Sequence, residues 1–156
     1  MKVVKGNFLK GLEAPHALVA APTNGVLTSQ GLVMGAGAAR ALAEVNPQLP
    51  ILFAEAIRRK GVYRGGVYLY GFVAVEVDGR PYGAFQSKGH FRGRADLALI
   101  RLAASRLQEF LEEHPGLEVH LAFPGIGLGK LKPEKVLEVL EKALGPVKDR
   151  ILLYRL

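Results

Sequence analysis

Two spacings of apolar residues divide this chain into elements. Ala17 to Ala21 carries no polar alternation and reads as a strand buried on both faces; Leu117 to Phe123 reads as another strand. Met1 to Lys5 and Arg150 to Leu156 read as a first and a closing strand. Helical spacing governs Ala36 to Val45, rich in alanine, and Ile51 to Arg59, whose stripe passes through Leu52, Ala56 and Ile57 before stopping at Lys60-Gly61, with Pro47 and Pro50 as punctuation upstream. The longest helix is expected from Asp96 to Glu113. Leu97, Ile100, Ala104, Leu107 and Leu111 form its inner stripe, Arg101, Arg106, Glu109 and Glu112 stand outside, and Pro115-Gly116 ends it. Pro133 opens a further helix that runs to Leu144. In the middle of the chain the period drops to two. Gly66 to Val77 and Pro81 to Gln86 read as strands joined at Asp78-Gly79, a hairpin signal. Strands and helices alternate around that one hairpin, so the pattern predicts an α/β domain with a mixed central sheet and helices on both faces.

Length and composition narrow the picture. One domain, residues 1–156, is expected, with enough chain for a real core. The apolar fraction of 49% and charged fraction of 22% are those of a globular protein. The absence of cysteine excludes disulfides, a thiol nucleophile and thiolate-ligated zinc, and fits a reducing cytoplasm. No spacing among His16, His114 and His120 suggests a metal site, so neither metal nor cofactor is expected. Few Asn and Gln beside many Leu, Glu, Arg and Pro lean toward a thermophilic source. Lys2, Lys5 and Lys10 precede no apolar block long enough for a signal peptide. The uncharged run from Ala17 to Ala39 has the length of a membrane span, but it carries Pro22, Thr23, Asn24, Thr28, Ser29 and Gln30 in its middle, groups that lipid would penalise. It reads as strand, loop and helix start, and no membrane partner is expected. A net charge of +7 attracts polyanions: nucleic acid, nucleotides or acidic proteins. The densest basic cluster is Lys88-Gly-His-Phe-Arg-Gly-Arg94, where cations and an aromatic interleave.

Chemistry concentrates in two glycine-rich bends. Phe123-Pro-Gly-Ile-Gly-Leu-Gly-Lys-Leu131 follows a strand and precedes a helix, and glycine at every second position lets backbone N–H groups approach a ligand. Loop amides and a helix N-terminus together favour negative charge. Met34-Gly-Ala-Gly-Ala-Ala39 is a second such place, and both bends leave strand ends, where α/β sheets bind ligands. Two bends of this kind can hold the two ends of one pyrophosphate. Neither bend has the full dinucleotide fingerprint or a Gly-Lys-Ser/Thr ending.

These residues resemble the macro domain, the ADP-ribose-binding fold. Gly6-Asn-Phe-Leu9 resembles the family's Gly-Asp-Leu/Ile opening. Asn24 with Met34-Gly-Ala-Gly-Ala-Ala39 resembles its Asn-x-x-x-Met-Gly-x-Gly-Ile-Ala loop, Phe123 to Gly129 its Pro-x-Ile-Gly-x-Gly loop, and Ile151 to Tyr154 its closing strand. The order is that of the family across the whole chain. Phe85-Gln-Ser-Lys-Gly-His-Phe-Arg92 is similar to the Phe-Pro-Thr-Lys-Lys-His-Trp-Arg segment of DNA ADP-ribosyl glycohydrolases, a subgroup in which the lysine is implicated in catalysis. The resemblance implies a three-layer α/β/α domain and ADP-ribose, or an ADP-ribosylated macromolecule, as partner. Its ligand contacts fall on Asn7, Phe8, Asn24, Met34, Gly35, Ala36, Gly37, Gly125, Ile126, Gly127, Leu128 and Gly129, and its catalytic residue on Lys88.

The chain also departs from the pattern. The family's adenine-facing Asp is Asn7 here, and the stretch between Asn24 and Met34 is longer than the norm. The related terminal-ADP-ribose enzymes carry an Asp after Gly-x-Gly, whereas Lys130 and Leu131 follow Gly129. A desolvated Lys88 beside Arg92 would act as a nucleophile on an anomeric carbon, or else as a phosphate contact. His90, Arg92 and Arg94 would hold a nucleic-acid or protein backbone, with Phe91 stacked on a base or packed inward. Three functions stay open on these residues: an ADP-ribosyl glycohydrolase, a non-catalytic ADP-ribose or nucleotide reader, and a basic nucleic-acid-binding module.

Overall fold

The computed structural model describes residues 1–156. In chain order the elements are β1 (Lys2–Lys5), a 3-10 turn (Phe8–Glu13), β2 (Ala17–Thr23), β3 (Leu27–Thr28), β4 (Gly31–Leu32), α1 (Gly37–Val45), α2 (Leu49–Lys60), β5 (Val62–Arg64), β6 (Val67–Leu69), β7 (Phe72–Val77), β8 (Arg80–Gln86), α3 (Leu97–Glu113), β9 (Glu118–Ala122), α4 (Pro133–Leu144), a second 3-10 turn (Gly145–Arg150) and β10 (Ile151–Arg155). Six strands form one sheet in the order β1-β10-β9-β2-β8-β7. All neighbours run parallel except the edge pair β7 and β8. The sheet is mixed, as the alternation of elements predicts.

Side-chain alternation along β2 shows how the layers form. Leu18 and Ala20 face a core built with α3 and α4, through Ile100, Leu107, Val136 and Leu140. Val19 and Ala21 face a second core built with α1 and α2, through Leu42, Leu49, Phe53 and Ile57. All four β2 residues are fully buried, which explains the missing polar alternation. Helices therefore cover both sheet faces. The chain leaves β2 toward the α1–α2 face and leaves β9, its neighbour, toward α4 on the other face. Adjacent parallel strands whose connections part to opposite sides open a crevice beyond their carboxyl ends.

Two elements differ from the sequence expectation, and a third segment carries none. The strand expected over Gly66 to Val77 is broken: Val67–Leu69 pairs back with Val62–Arg64 in a separate hairpin, and only Phe72–Val77 joins the main sheet. Gly71 turns the chain there at a φ of +73°, and the amides of Tyr70 and Gly71 both donate to Gln86 Oε1 instead of to a strand. Pro50 lies inside the first turn of α2, not outside the helix, because a first-turn residue needs no intrahelical N–H partner. The segment after β1 winds into a 3-10 turn whose first free amide, Leu9 N–H, donates to Asn7 Oδ1 at 3.0 Å. Asp96 does cap α3, its Oδ1 accepting from Ala98 N–H at 2.8 Å.

Arg150 closes the other end of α3. Its guanidinium donates to the carbonyls of Leu111 (2.9 Å), His114 (2.7 Å) and Leu117 (2.9 Å), tying the last turn of α3 to the turn that follows it. Arg150→Ala is expected to destabilise the fold by about 2–3 kcal/mol, since bonds to a charged donor are worth more than neutral ones. Urea denaturation checks this.

Candidate functional site

Beyond the carboxyl ends of β2, β8 and β9 lies a cleft of about 470 Å³. Three connections wall it. Gly35 to Ala39 come from the start of α1, Ser87, Lys88 and Phe91 from the segment after β8, and Gly125, Gly127, Leu128 and Gly129 from the bend after β9. The two glycine bends thus face each other across one opening. Lys88 is the one charged side chain among the lining residues, and no carboxylate lines the cleft. Leu128 (73% exposed) and Phe91 (40% exposed) give the mouth an apolar rim.

The bend after β9 has its polar groups sorted. Gly125 C=O accepts from Leu131 N–H at 2.8 Å, Gly127 C=O from Lys130 N–H at 3.1 Å, and Gly129 C=O from Ala95 N–H at 3.3 Å. The N–H groups of Gly125, Ile126, Gly127, Leu128 and Gly129 donate to no group of the chain. Carbonyls committed inward and amides left free make a concave array of partial positive charge, the arrangement that receives an oxyanion. Across the cleft, the amides of Gly35, Ala36, Gly37 and Ala38 are equally unspent, and no side chain caps the N-terminus of α1. These are the first-turn donors of a helix, at its positive end.

The glycines fall into two kinds. Gly125 has a φ of +79°, and a Cβ on Gly129 would stand 2.7 Å from the Cβ of Ala95, so the bend itself needs both. Gly35 and Gly127 have ordinary φ values and open space where a Cβ would go. Nothing in the fold requires glycine at those two positions. The open space there leaves the backbone accessible from the cleft.

Behind the cleft, a buried polar network fixes the strand ends. Tyr70 Oη donates to Asn24 C=O at 2.7 Å and lies 2.5 Å from Thr23 Oγ1. Gln86, fully buried, bonds the amides of Tyr70 and Gly71 and the carbonyls of Tyr68 (2.8 Å) and Lys88 (3.3 Å). Gly25 N–H donates to Gly89 C=O, and Ser87 N–H to Thr23 C=O. The Lys88 segment is therefore anchored from both sides. Burial pushes the Tyr70 phenol well above its ordinary range, against a smaller lowering by Thr23; Tyr154 is raised by burial and then by the Glu118 carboxylate. Phenols raised by folding hold their protons while the unfolded chain ionises. Stability is therefore undisturbed at neutral pH and falls above about pH 10, by about 1.4 kcal/mol per pH unit for each proton retained. Tyr70→Phe is expected to flatten this alkaline limb while losing about 1–3 kcal/mol at neutral pH from the orphaned partners. Urea unfolding across alkaline pH separates the two effects.

Not every residue singled out by sequence lines the cleft. Asn24, Gly35, Ala36, Gly37, Lys88, Gly125, Gly127, Leu128 and Gly129 do. Asn24 spends both ends of its amide inside its own loop, Nδ2 on Val33 C=O and Oδ1 on Val26 N–H, each at 2.9 Å. It clasps the base of the β3–β4 hairpin, which accounts for the long stretch before Met34. Met34 and Phe8 are buried in the α1–α2 core, Ile126 packs against the α3–α4 core, and Asn7 is exposed at its 3-10 turn. His90, Arg92 and Arg94 are exposed beyond the rim, His90 Nδ1 accepting from Arg92 N–H at 3.1 Å. Sequence reasoning missed Thr23 and Ser87, whose place immediately before Asn24 and Lys88 at strand ends was the available signal. It had no means of finding Tyr70 or Gln86. No cluster of three or more His, Asp or Glu side chains is placed to hold a metal ion, and no helix is long and apolar enough to cross a membrane.

No family model and no curated protein matches the sequence. Solved structures do match. The macrodomain of DarG from Mycobacterium tuberculosis superposes with a TM-score of 0.75 at 24% identity, covering 99% of this chain and 97% of that one. The macrodomain of DarG from Thermus aquaticus gives 0.72 at 23% identity over the same shares. A DarTG from Thermosipho africanus, solved in complex with ADP-ribose, gives 0.69 at 18% identity, covering 96% of this chain and 39% of that longer one. The likeness extends over essentially the whole chain: the fold is that of a macrodomain.

Proposed function

We propose that this chain binds ADP-ribose in the cleft and removes it from a modified nucleic acid or protein. The observation that carries the reading is the pair of facing bends with unspent amides, Gly125 to Gly129 on one side and Gly35 to Ala38 on the other. A diphosphate between them accepts from both, in a cleft with no carboxylate to repel it. The likeness to a DarTG solved with ADP-ribose supports the same ligand.

Lys88 is the proposed catalytic residue. Held at the cleft wall by the bonds of Gln86 and Gly25 around it, its amine either attacks the anomeric carbon or polarises the leaving group. Hydrolysis consumes one water and releases ADP-ribose and the unmodified acceptor. A second reading, binding without turnover, is favoured by one observation: no carboxylate lines the cleft to assist the lysine. Incubation of ADP-ribosylated DNA and ADP-ribosylated protein with the protein separates the two. Release of ADP-ribose supports the hydrolase; binding of ADP-ribose with no release from either substrate leaves the reader.

A further inference from the structure

A second cavity, of about 630 Å³, is larger than the cleft. It is a groove between the β5–β6 hairpin and α3, floored by the edge strand β7. Leu69, Leu102 and Phe110 line it, and Lys60 and Arg64 stand on its rim. Both cations are exposed, and neither takes part in any ion pair of the chain. Arg106, further along, is already paired with Glu109 at 3.4 Å, and Glu113 closes that end with negative charge.

The hairpin that walls this groove packs against the Lys88 segment that walls the cleft. A methyl group on Gly89 would stand 3.6 Å from Val67 of the hairpin, and Tyr68 N–H donates to Gly25 C=O while Gly25 N–H donates to Gly89 C=O. A Cβ on Gly25 would collide with the carbonyl oxygen of Tyr68. Hairpin and Lys88 segment are thus locked as one body by main-chain bonds and by Gln86. Arg92 and Arg94, on the segment that follows Lys88, and Arg64 and Lys60, at the groove, are all exposed, and none of these four takes part in an ion pair.

We propose that this groove is a second contact for a polynucleotide, holding the strand that flanks an ADP-ribosylated nucleotide seated in the cleft. This rests on the ADP-ribose reading of the cleft. Unpaired cations at the rim meet phosphates, and the apolar floor receives bases, the combination by which single strands are held without sequence readout. Charge selects this occupant over a peptide: Lys60 and Arg64 at the hairpin side of the groove have no acidic partner, and the net charge of the chain is +7.

The test measures anisotropy of labelled, unmodified single strands of about 4 and about 16 nucleotides, the span of common single-strand sites, against wild type and the double variant Lys60→Ala, Arg64→Ala. The long strand is expected to bind wild type more tightly. In the double variant its affinity falls about tenfold at low salt, and the slope of log K against log salt becomes shallower by about 1.4, two single-strand phosphate contacts. Thermal unfolding of the double variant stays at the wild-type value, since both residues are exposed. Wild-type affinity and slope in the variant would overturn the proposal. Calorimetry with free ADP-ribose, run in parallel, keeps the two readings apart. Intact ADP-ribose binding with no strand effect overturns the groove alone; a strand effect without ADP-ribose binding supports the groove contact and overturns the cleft assignment.

Discussion

Valine in place of Gly127 is expected to leave thermal unfolding unchanged and to weaken ADP-ribose binding about 100-fold, the loss of roughly two amide bonds to a charged phosphate. The fold has no use for glycine there: φ is ordinary, and a Cβ meets nothing within 4 Å. Only a ligand lying on the backbone is obstructed. Gly129→Val is the contrast. Its Cβ would stand 2.7 Å from Ala95 Cβ and 2.8 Å from Gly125 C=O, so it is expected to lower stability by about 1–3 kcal/mol as an overpacked site. Two neighbouring glycines should therefore fail in different assays, one in titration and one in denaturation. Unaltered ADP-ribose affinity in Gly127→Val would mean that the bend after β9 does not contact the diphosphate.

Lys88→Ala is expected to lower the rate of ADP-ribose release by about 10²–10⁴-fold, the usual reach of a positioned side chain in proton transfer or attack. Affinity for free ADP-ribose should change little, because the proposed phosphate donors are unspent main-chain amides of other segments. A loss in rate without a loss in affinity marks an interaction made in the transition state. The single-turnover rate on an ADP-ribosylated oligonucleotide, beside calorimetry on the same preparation, reads both. A rate equal to wild type would take Lys88 out of the chemistry.

Much of this architecture is legible in the sequence because it is written in periodicity. The unbroken apolar run of β2 states that both its faces are covered, and the stripe of Leu97, Ile100, Ala104, Leu107 and Leu111 states which side of α3 turns inward. Proline at the start of α4 and aspartate before α3 mark their ends by local chemistry. The glycine bends are legible for the same reason: their conformational demands and close approaches are properties of single residues. Long-range polar pairing is not legible. Gln86 takes the amides of Tyr70 and Gly71 sixteen and fifteen residues away, and that bond breaks the expected strand at Gly66 to Val77 into two. Nothing in an alternating apolar run announces that a buried side chain will claim its backbone. Asn24 shows the same limit from the other side: an Asn-Gly pair signals a turn, but only the fold shows its amide clasping Val26 and Val33.

The central claim, that facing main-chain donors in this cleft grip a diphosphate joined to a second ribose, meets its most direct test in a calorimetric titration with ADP-ribose, set beside ADP and ribose 5-phosphate. Saturable one-to-one binding of ADP-ribose in the micromolar range is expected, with each fragment at least about tenfold weaker, a difference of about 1.4 kcal/mol. No saturable heat with ADP-ribose, or equal affinity for ribose 5-phosphate alone, would contradict it.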